Sequence, residues 1–208
     1  ARGEIIAHGI QQYSQTQGAR GPSGWGWGFN TPSEDLLNAF NEAGDTVRRD
    51  ATIIFAGETL FDGREVSSSV ENPRYNEKAY SSANPGAGES DKNIRILRYA
   101  EILLIEAEAL NELGQSAAAL TPLNEVRERV NLPDITTTDQ GGLRQMIWNE
   151  RRLELAFEHD RWFDLIRTGQ AESVMTALGL PFSEKNKLFP IPNDQLIQTP
   201  EMTQNPGW

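Results

Sequence analysis

Apolar side chains in the second half of the chain recur at helical spacing. In NIRILRYAEILLIEAEALNELG, which starts at Asn93, the residues Ile96, Ala100, Leu103, Ala107 and Leu110 share one stripe, with Leu97 and Leu104 beside it. Gly114 closes this predicted helix. SAAALTPLNEVRERVNLP follows, with Leu123, Val126 and Val130 facing inward. Pro122 either delays this helix to near Thr121 or distorts its first turn. Ala107, Gly114 and Ala119 have the spacing of small residues in a tetratricopeptide helical hairpin, and one such unit is visible. A third helix is predicted over roughly 142–158, with Leu143, Met146, Ile147, Leu153, Ala156 and Phe157 apolar, and a short fourth follows Asp160. Prolines at 190, 192, 200 and 206 make the tail largely extended.

Residues 1–92 have another texture, rich in Gly, Pro, Ser and Asn. They read as loops, short strands and one helix. In TPSEDLLNAFNEAGD, Thr31 is the expected cap, Pro32 the first helical residue, Glu34 the return arm of a capping box and Gly44 the left-handed stop. TIIFAG is a predicted strand, and LFDGRE carries an Asp-Gly turn signal. Residues 67–92 read as a long irregular surface excursion. The expected fold is mainly α, one region over 1–208 in which a loop-rich lobe (1–92) precedes a helical scaffold (93–208).

Composition narrows the function. The 208 residues hold no cysteine, which excludes disulfides, thiolate metal sites and a cysteine nucleophile. The net charge is -11, with 13 acids against 8 bases before position 93 and 17 against 11 after it. With no basic face segregated, nucleic acid is not an expected partner. No apolar run is long enough to span a bilayer. The abrupt opening, ARGEIIAHGI, gives the expectation that an amino-terminal part lies outside this sequence.

The densest chemistry lies in ELAFEHDRWFDLIRTG, residues 154–169. Glu150, Glu154 and Glu158 repeat every four residues, along one helix face. Two such acids could serve a glycosidase. The favoured reading pairs them instead with Arg151, Arg152 and Arg161 along a partly wetted edge, because nothing in the sequence sets one acid's pKa apart from another's. His159 has no metal co-ligand at useful spacing, and His8 is remote. Asp160 is expected to cap the next helix and Gly169 to stop it. Trp162, Phe163, Leu165 and Ile166 imply that this helix is buried on most sides. Arg161, Asp164 and Arg167 are spaced three apart, so that an ion-paired ladder is expected beside it. The stretch reads as structural, with no catalytic, metal or cofactor site.

RYAEILLIEAEALNELG, LNEVRERV, ERRLELAFEHDRWFDLIRTG, LFPIP and the terminal QNPGW occur in the order that resembles the SusD/RagB family of outer-membrane nutrient-binding lipoproteins of Bacteroidota. GWGWGFNTPSEDLLNAF followed by TIIFAG is similar as well. Two departures stand out: His159 sits where many members have Gly, and the chain is short, similar to the carboxy-terminal part of a longer protein. The resemblance implies a SusD-like superhelix of tetratricopeptide-type helix pairs with a ligand site in the loop-rich lobe. It implies a surface lipoprotein that binds a glycan or oligosaccharide without catalysis or cofactor. Its partner would be a SusC-like TonB-dependent transporter, and its contact with the membrane a lipid anchor outside this sequence.

Within that lobe GPSGWGWGFN supplies the candidate site. Trp25, Trp27 and Phe29 alternate, so in an extended segment they share one face. Sugar C–H faces rest on such rings, and Tyr13, Asn30 and Arg20 are the nearby polar candidates. Packing is the equal alternative for both tryptophans. Tyr75 and Tyr80 form a second candidate patch. The glycines here do not have dinucleotide-fingerprint spacing. Trp148, Trp162 and Trp208 are assigned to core or interlobe packing. The runner-up function is a peptide-interaction module using the helical groove, or a peptide-binding member of the same family.

Overall fold

The structure is a computed structural model that describes residues 13–82 and 94–208; His8 and the far part of the 67–92 excursion lie outside the described residues. It falls into two compact units, 1–158 and 159–208. The change of texture at 92/93 is therefore not where the compact units divide.

In the first unit, α1 spans Glu34–Ala43 and starts two residues later than expected. Ser33, not Thr31, is the cap, its hydroxyl accepting from the Leu36 amide at 3.2 Å. The cause is Arg74, which donates to the Pro32 carbonyl at 3.3 Å and pairs with Glu34 at 2.9 Å, holding both outside a capping box. Gly44 stops the helix at φ 66° as expected. After α2 (Thr46–Asp50), β1 (Ile53–Phe55) pairs antiparallel with β2 (Arg74–Asn76), Ile54 opposite Tyr75. Between them a tight hairpin brings Thr59 opposite Glu65, turning through Gly63 at φ 85°. The excursion after 67 is irregular up to Pro73 and then returns as β2 and a 3-10 turn at Glu77–Ala79. Trp25, Ile54, Leu60, Val66, Tyr75 and Tyr80 make the core of this lobe.

The helical part of the unit is α3 (Tyr99–Glu112), α4 (Ser116–Glu128) and α5 (Gln140–Glu154). Leu103, Leu104, Ala107, Ala119, Leu123, Val126, Leu143 and Ile147 pack as one core. Each fully buried Leu or Ile there contributes about 1.5–3 kcal/mol. Three expectations need correction. Helix α3 begins at Tyr99 after an extended Arg98 (φ −146°), so Ile96 and Leu97 fall outside it and are 83% and 60% exposed. Helix α4 runs straight through the buried Pro122; the carbonyl that loses its N–H partner belongs to Ala118, on the solvent side, where the loss costs least. Helix α5 ends at Glu154, because Phe157 and His159 take φ 65° and 78° and cannot continue it.

Asn111, wholly buried, ties the three helices together. Its amide donates to the Gln140 carbonyl at 3.0 Å and accepts from the Ser116 hydroxyl at 2.8 Å, while Gln140 donates back to the Asn111 carbonyl at 2.7 Å. Trp148 is half-buried and donates to Glu108 at 3.0 Å.

The second unit carries α6 (Arg161–Arg167), α7 (Ala171–Ala177) and α8 (Asn193–Gln198). Asp160 stands at the start of α6 but makes no capping hydrogen bond. Gly169 stops the helix at φ 70°, and Arg167 pairs with Asp164 at 2.7 Å, both as expected. The helix is not buried on most sides: Leu165 is 5% exposed and Phe163 69%. Two residues apart on a helix is about 200° of rotation, so only one of these can face inward. Trp162, half-buried, meets Phe182 edge-on at 6.4 Å. The tail is more regular than its prolines imply. A 3-10 turn occupies Glu184–Lys187, and Pro192 stands as the cap of α8, where a missing N–H is no loss. Gln204 exchanges two hydrogen bonds with the Ile191 backbone, at 2.8 and 2.9 Å. Trp208 donates to the carbonyls of Lys185 and Leu188 at 3.1 and 3.0 Å while half-exposed, so it closes the tail and is not core.

Candidate functional site

The aromatic segment 24–29 is not extended. It folds back along the helical turn over 13–17 and the residues after it. Trp25 donates to the Ala19 carbonyl at 2.8 Å, Trp27 to Gln15 at 2.9 Å, Gly28 to Gly18 at 2.9 Å and Phe29 to Thr16 at 2.8 Å. Gly26 makes this approach possible, since a Cβ there would collide with the Gln15 carbonyl and the Gly18 backbone.

The folding separates rings that alternation would have placed together. Trp25 is 7% exposed, whereas Trp27 is 46% and Phe29 60% exposed. Trp25 packs edge-on to Tyr80 at 5.4 Å and lies under the Arg64 guanidinium, 4.2 Å from its ring centre. It takes the packing alternative. So do Tyr75 and Tyr80, both buried. The Tyr75 hydroxyl donates to the Arg20 carbonyl at 3.2 Å and accepts from the Asn72 amide at 2.9 Å; that of Tyr80 donates to Asp62 at 2.7 Å. Burial and the Asp62 carboxylate push the Tyr80 phenol up.

The polar candidates divide as well. Exposed Asn30, at φ 52°, donates to the Gln17 side chain at 2.8 Å, and Gln17 donates to the Tyr13 carbonyl at 3.0 Å. Asn76 donates to the same Gln17 oxygen at 2.8 Å, which fixes the amide from below. Burial raises the Tyr13 phenol's pKa. Arg20 is exposed and pairs with Glu71 at 2.9 Å. The structure thus brings Trp27, Phe29 and Asn30 alongside the turn over 13–17, where the buried Gln17 links Asn30 to the Tyr13 backbone. Sequence reasoning missed Phe61, 74% exposed at the hairpin tip, and the buried Gln17 that positions Asn30. An aromatic directly before Asp62-Gly63 was the available signal for Phe61.

The carboxylates on and just after α5 form a different assembly. Glu150 and Glu154 are each 2% exposed, not on a wetted edge. Their partners come from elsewhere in the unit. Glu150 meets Arg48 at 2.7 Å and Arg127 at 2.6 Å; Glu154 meets Arg48 at 2.9 Å, Arg129 at 2.7 Å, and Arg98. Glu158 meets Arg98 at 2.6 Å and Lys78 at 2.5 Å. The neighbouring Arg152 turns instead to Asp35, and Arg151 lies 3.9 Å from Glu101. Burial alone would raise the Glu154 carboxyl, but Arg98, Arg129 and Arg48 outweigh it and hold it below the usual carboxylate range. The same contest, with Arg98 and Lys78 as the cations, lowers Glu158. Two acids both held ionised provide no proton donor for glycoside cleavage. Among the described residues no three His, Asp or Glu side chains group to hold a metal, and no helix is long and apolar enough to cross a membrane.

The sequence pattern of the SusD family matches residues 59–181. SusD-like protein P38 of Formosa agariphila is 36% identical over 135 residues, covering 61% of this chain and 27% of that protein. SusD-like protein P2 of the same organism is 38% identical over 135 residues, 58% of this chain and 27% of its own length. A laminarin-binding SusD-like protein of known structure is similar with a TM-score of 0.69 at 29% identity, covering 94% of this chain and 41% of that one. Surface glycan-binding protein A from Bacteroides thetaiotaomicron, solved in complex with laminarihexaose, gives 0.72 at 26% identity, 94% of this chain and 46% of that one. The chain spans about a quarter of these curated relatives and under half of these solved chains.

Proposed function

The chain belongs to the SusD family, and from that premise we propose that it is part of a cell-surface protein that binds a glycan and performs no reaction on it. The protein acts at the outer membrane as a lipoprotein, passing its ligand to a SusC-like TonB-dependent transporter. The observation that carries the reading is the exposed pair Trp27 and Phe29 beside the exposed Asn30 amide, which the buried Gln17 holds in place. Pyranose rings offer apolar C–H faces to aromatic planes, and their hydroxyls take hydrogen bonds from amides at the rim. Similarity to a laminarin-binding protein and to one solved with laminarihexaose supports the same ligand class. The absence of catalysis is supported by Glu154 and Glu158, whose oxygens are engaged by fixed cations.

Retention on polysaccharide affinity gels tests the reading. Trp27→Ala is expected to weaken retention by the equivalent of about 1–3 kcal/mol with an unchanged melting temperature. Binding of peptides alone would overturn it in favour of the helical-groove module. Oligosaccharide turnover lost in Glu154→Gln would overturn it in favour of a hydrolase.

A further inference from the structure

Gln17 is the middle of a three-amide relay whose direction is fixed at one end. Its Nε2 donates to the Tyr13 backbone carbonyl at 3.0 Å, and a carbonyl can only accept, so the Gln17 amide cannot be turned over. Its oxygen must therefore be the acceptor on the other side, where it takes hydrogen bonds from Asn30 Nδ2 and Asn76 Nδ2, each at 2.8 Å. Gln17 is 6% exposed and Asn76 2%, so neither amide trades these partners for water.

Asn76 shows what the relay costs. With its nitrogen committed to Gln17, its own oxygen has no hydrogen-bond partner among the described residues. An unpaired buried oxygen is destabilising, yet turning this amide over would set that oxygen against the oxygen of Gln17. One acceptor and two donors are thus held in places they cannot exchange. Asn30 is the exposed member of the three. Its nitrogen is held at Gln17, with the backbone at φ 52°, so its oxygen and second N–H remain for an incoming group beside Trp27 and Phe29.

We propose that Gln17 is a positioning residue for ligand recognition, which presents the Asn30 oxygen as a fixed acceptor and so selects a free sugar hydroxyl at that place. A hydroxyl brings the hydrogen this oxygen needs. The same sugar position carrying a methyl ether, an ester or a sulfate brings only oxygen lone pairs, and the approach of two acceptors is repulsive. Turning the Asn30 amide to bring its nitrogen there would break its bond to Gln17. Trp27 and Phe29 give the sugar ring a surface to rest on, while the relay decides which substituent is accepted beside them. This rests on the glycan-binding reading above and adds to it the substituent that the site selects.

The test uses affinity electrophoresis through laminarin, starch and xylan, then through the most retarding of the three after partial O-methylation. Wild type is expected to bind the methylated form about fivefold more weakly. Asn30→Gly, which suits the positive φ, should weaken binding of the native glycan about fivefold and lose most of the discrimination, at an unchanged melting temperature. Gln17→Met should do the same with a lowered melting temperature. Gln17→Glu still offers Asn30 an acceptor, so it should keep the wild-type discrimination even where its stability falls. A merely structural Gln17 would let binding follow stability in both variants. Equal binding of native and methylated glycan by wild type, discrimination kept in Asn30→Gly or Gln17→Met, or discrimination lost in Gln17→Glu would each overturn the relay and leave the glycan reading intact. Should Gln17→Met not fold, Asn30→Gly decides. A wild type retarded by none of the three polysaccharides would overturn both.

Discussion

Arg48 and Glu154 are 106 positions apart in sequence, yet the guanidinium of one meets the carboxylate of the other at 2.9 Å with both side chains sealed from water. Arg48 lies on α2 and Glu154 on the last turn of α5, so the pair fastens the loop-rich lobe to the helices. Truncating one member leaves charges in a place water does not reach. Arg48→Met strands Asp45, Glu150 and part of the demand of Glu154. It is expected to cost about 3–5 kcal/mol, read as a lowered midpoint in urea unfolding. A loss under about 1 kcal/mol would mean that the cluster behaves like an exposed pair.

The same cluster sets the acid limit. Glu154 and Glu158 have pKa values in the folded protein below the usual 4.5. The unfolded chain therefore takes up protons first as pH falls. Their contribution is fully present above the unfolded value and is lost as pH drops through the folded values. Melting temperature should fall steeply below about pH 4.5. Glu158→Gln should flatten that limb while lowering stability at pH 7. An acid limb of equal slope in wild type and variant would contradict the assignment.

Trp25 and Trp27 should respond in opposite ways. Trp25→Ala removes a core ring from beneath Arg64 and beside Tyr80, and is expected to cost about 3–5 kcal/mol. Trp27→Ala should stay within about 0.5 kcal/mol of wild type. Differential scanning calorimetry on the two variants checks the contrast directly.

His159 occupies φ 78°, where a Cβ crowds the following carbonyl. His159→Gly is expected to raise stability by about 1 kcal/mol, measured by chemical unfolding. A destabilised variant would mean that the imidazole's own contacts outweigh the relief of strain.

What the sequence made legible followed from local rules. The period of Leu103, Ala107, Leu123 and Val126 announced a helical pair, and that pair builds the main core with Leu143 and Ile147 of α5. Gly44, Gly114 and Gly169 announced their stops, and each has the positive φ a stop requires. The Asp62-Gly63 pair announced a turn. Where the reading failed, the missing information was not local. Ile96 and Leu97 continue the apolar period, but Arg98 is drawn into extended backbone by Glu154 and Glu158, and the helix starts after it. The acids of α5 were recognised while their partners were not, since Arg48, Lys78 and Arg98 lie far away in sequence. In the candidate site, alternation assumed an extended strand. Gly26 and Gly28 instead let the segment fold onto residues 15–19, and one tryptophan of the two went inside.

Asn111 has a mechanical consequence. Its side chain bridges the start of α4 and the start of α5, and Gln140 answers to its backbone. Sliding α5 by a single residue, about 1.5 Å along its axis, would break both Gln140 links together, and sliding α4 would break the Ser116 one. The apolar contacts around Leu104 and Ile147 would tolerate such a slip far better, because greasy surfaces have no preferred notch. This one amide therefore acts as a detent: the three rods can tilt against each other, but their phase is locked.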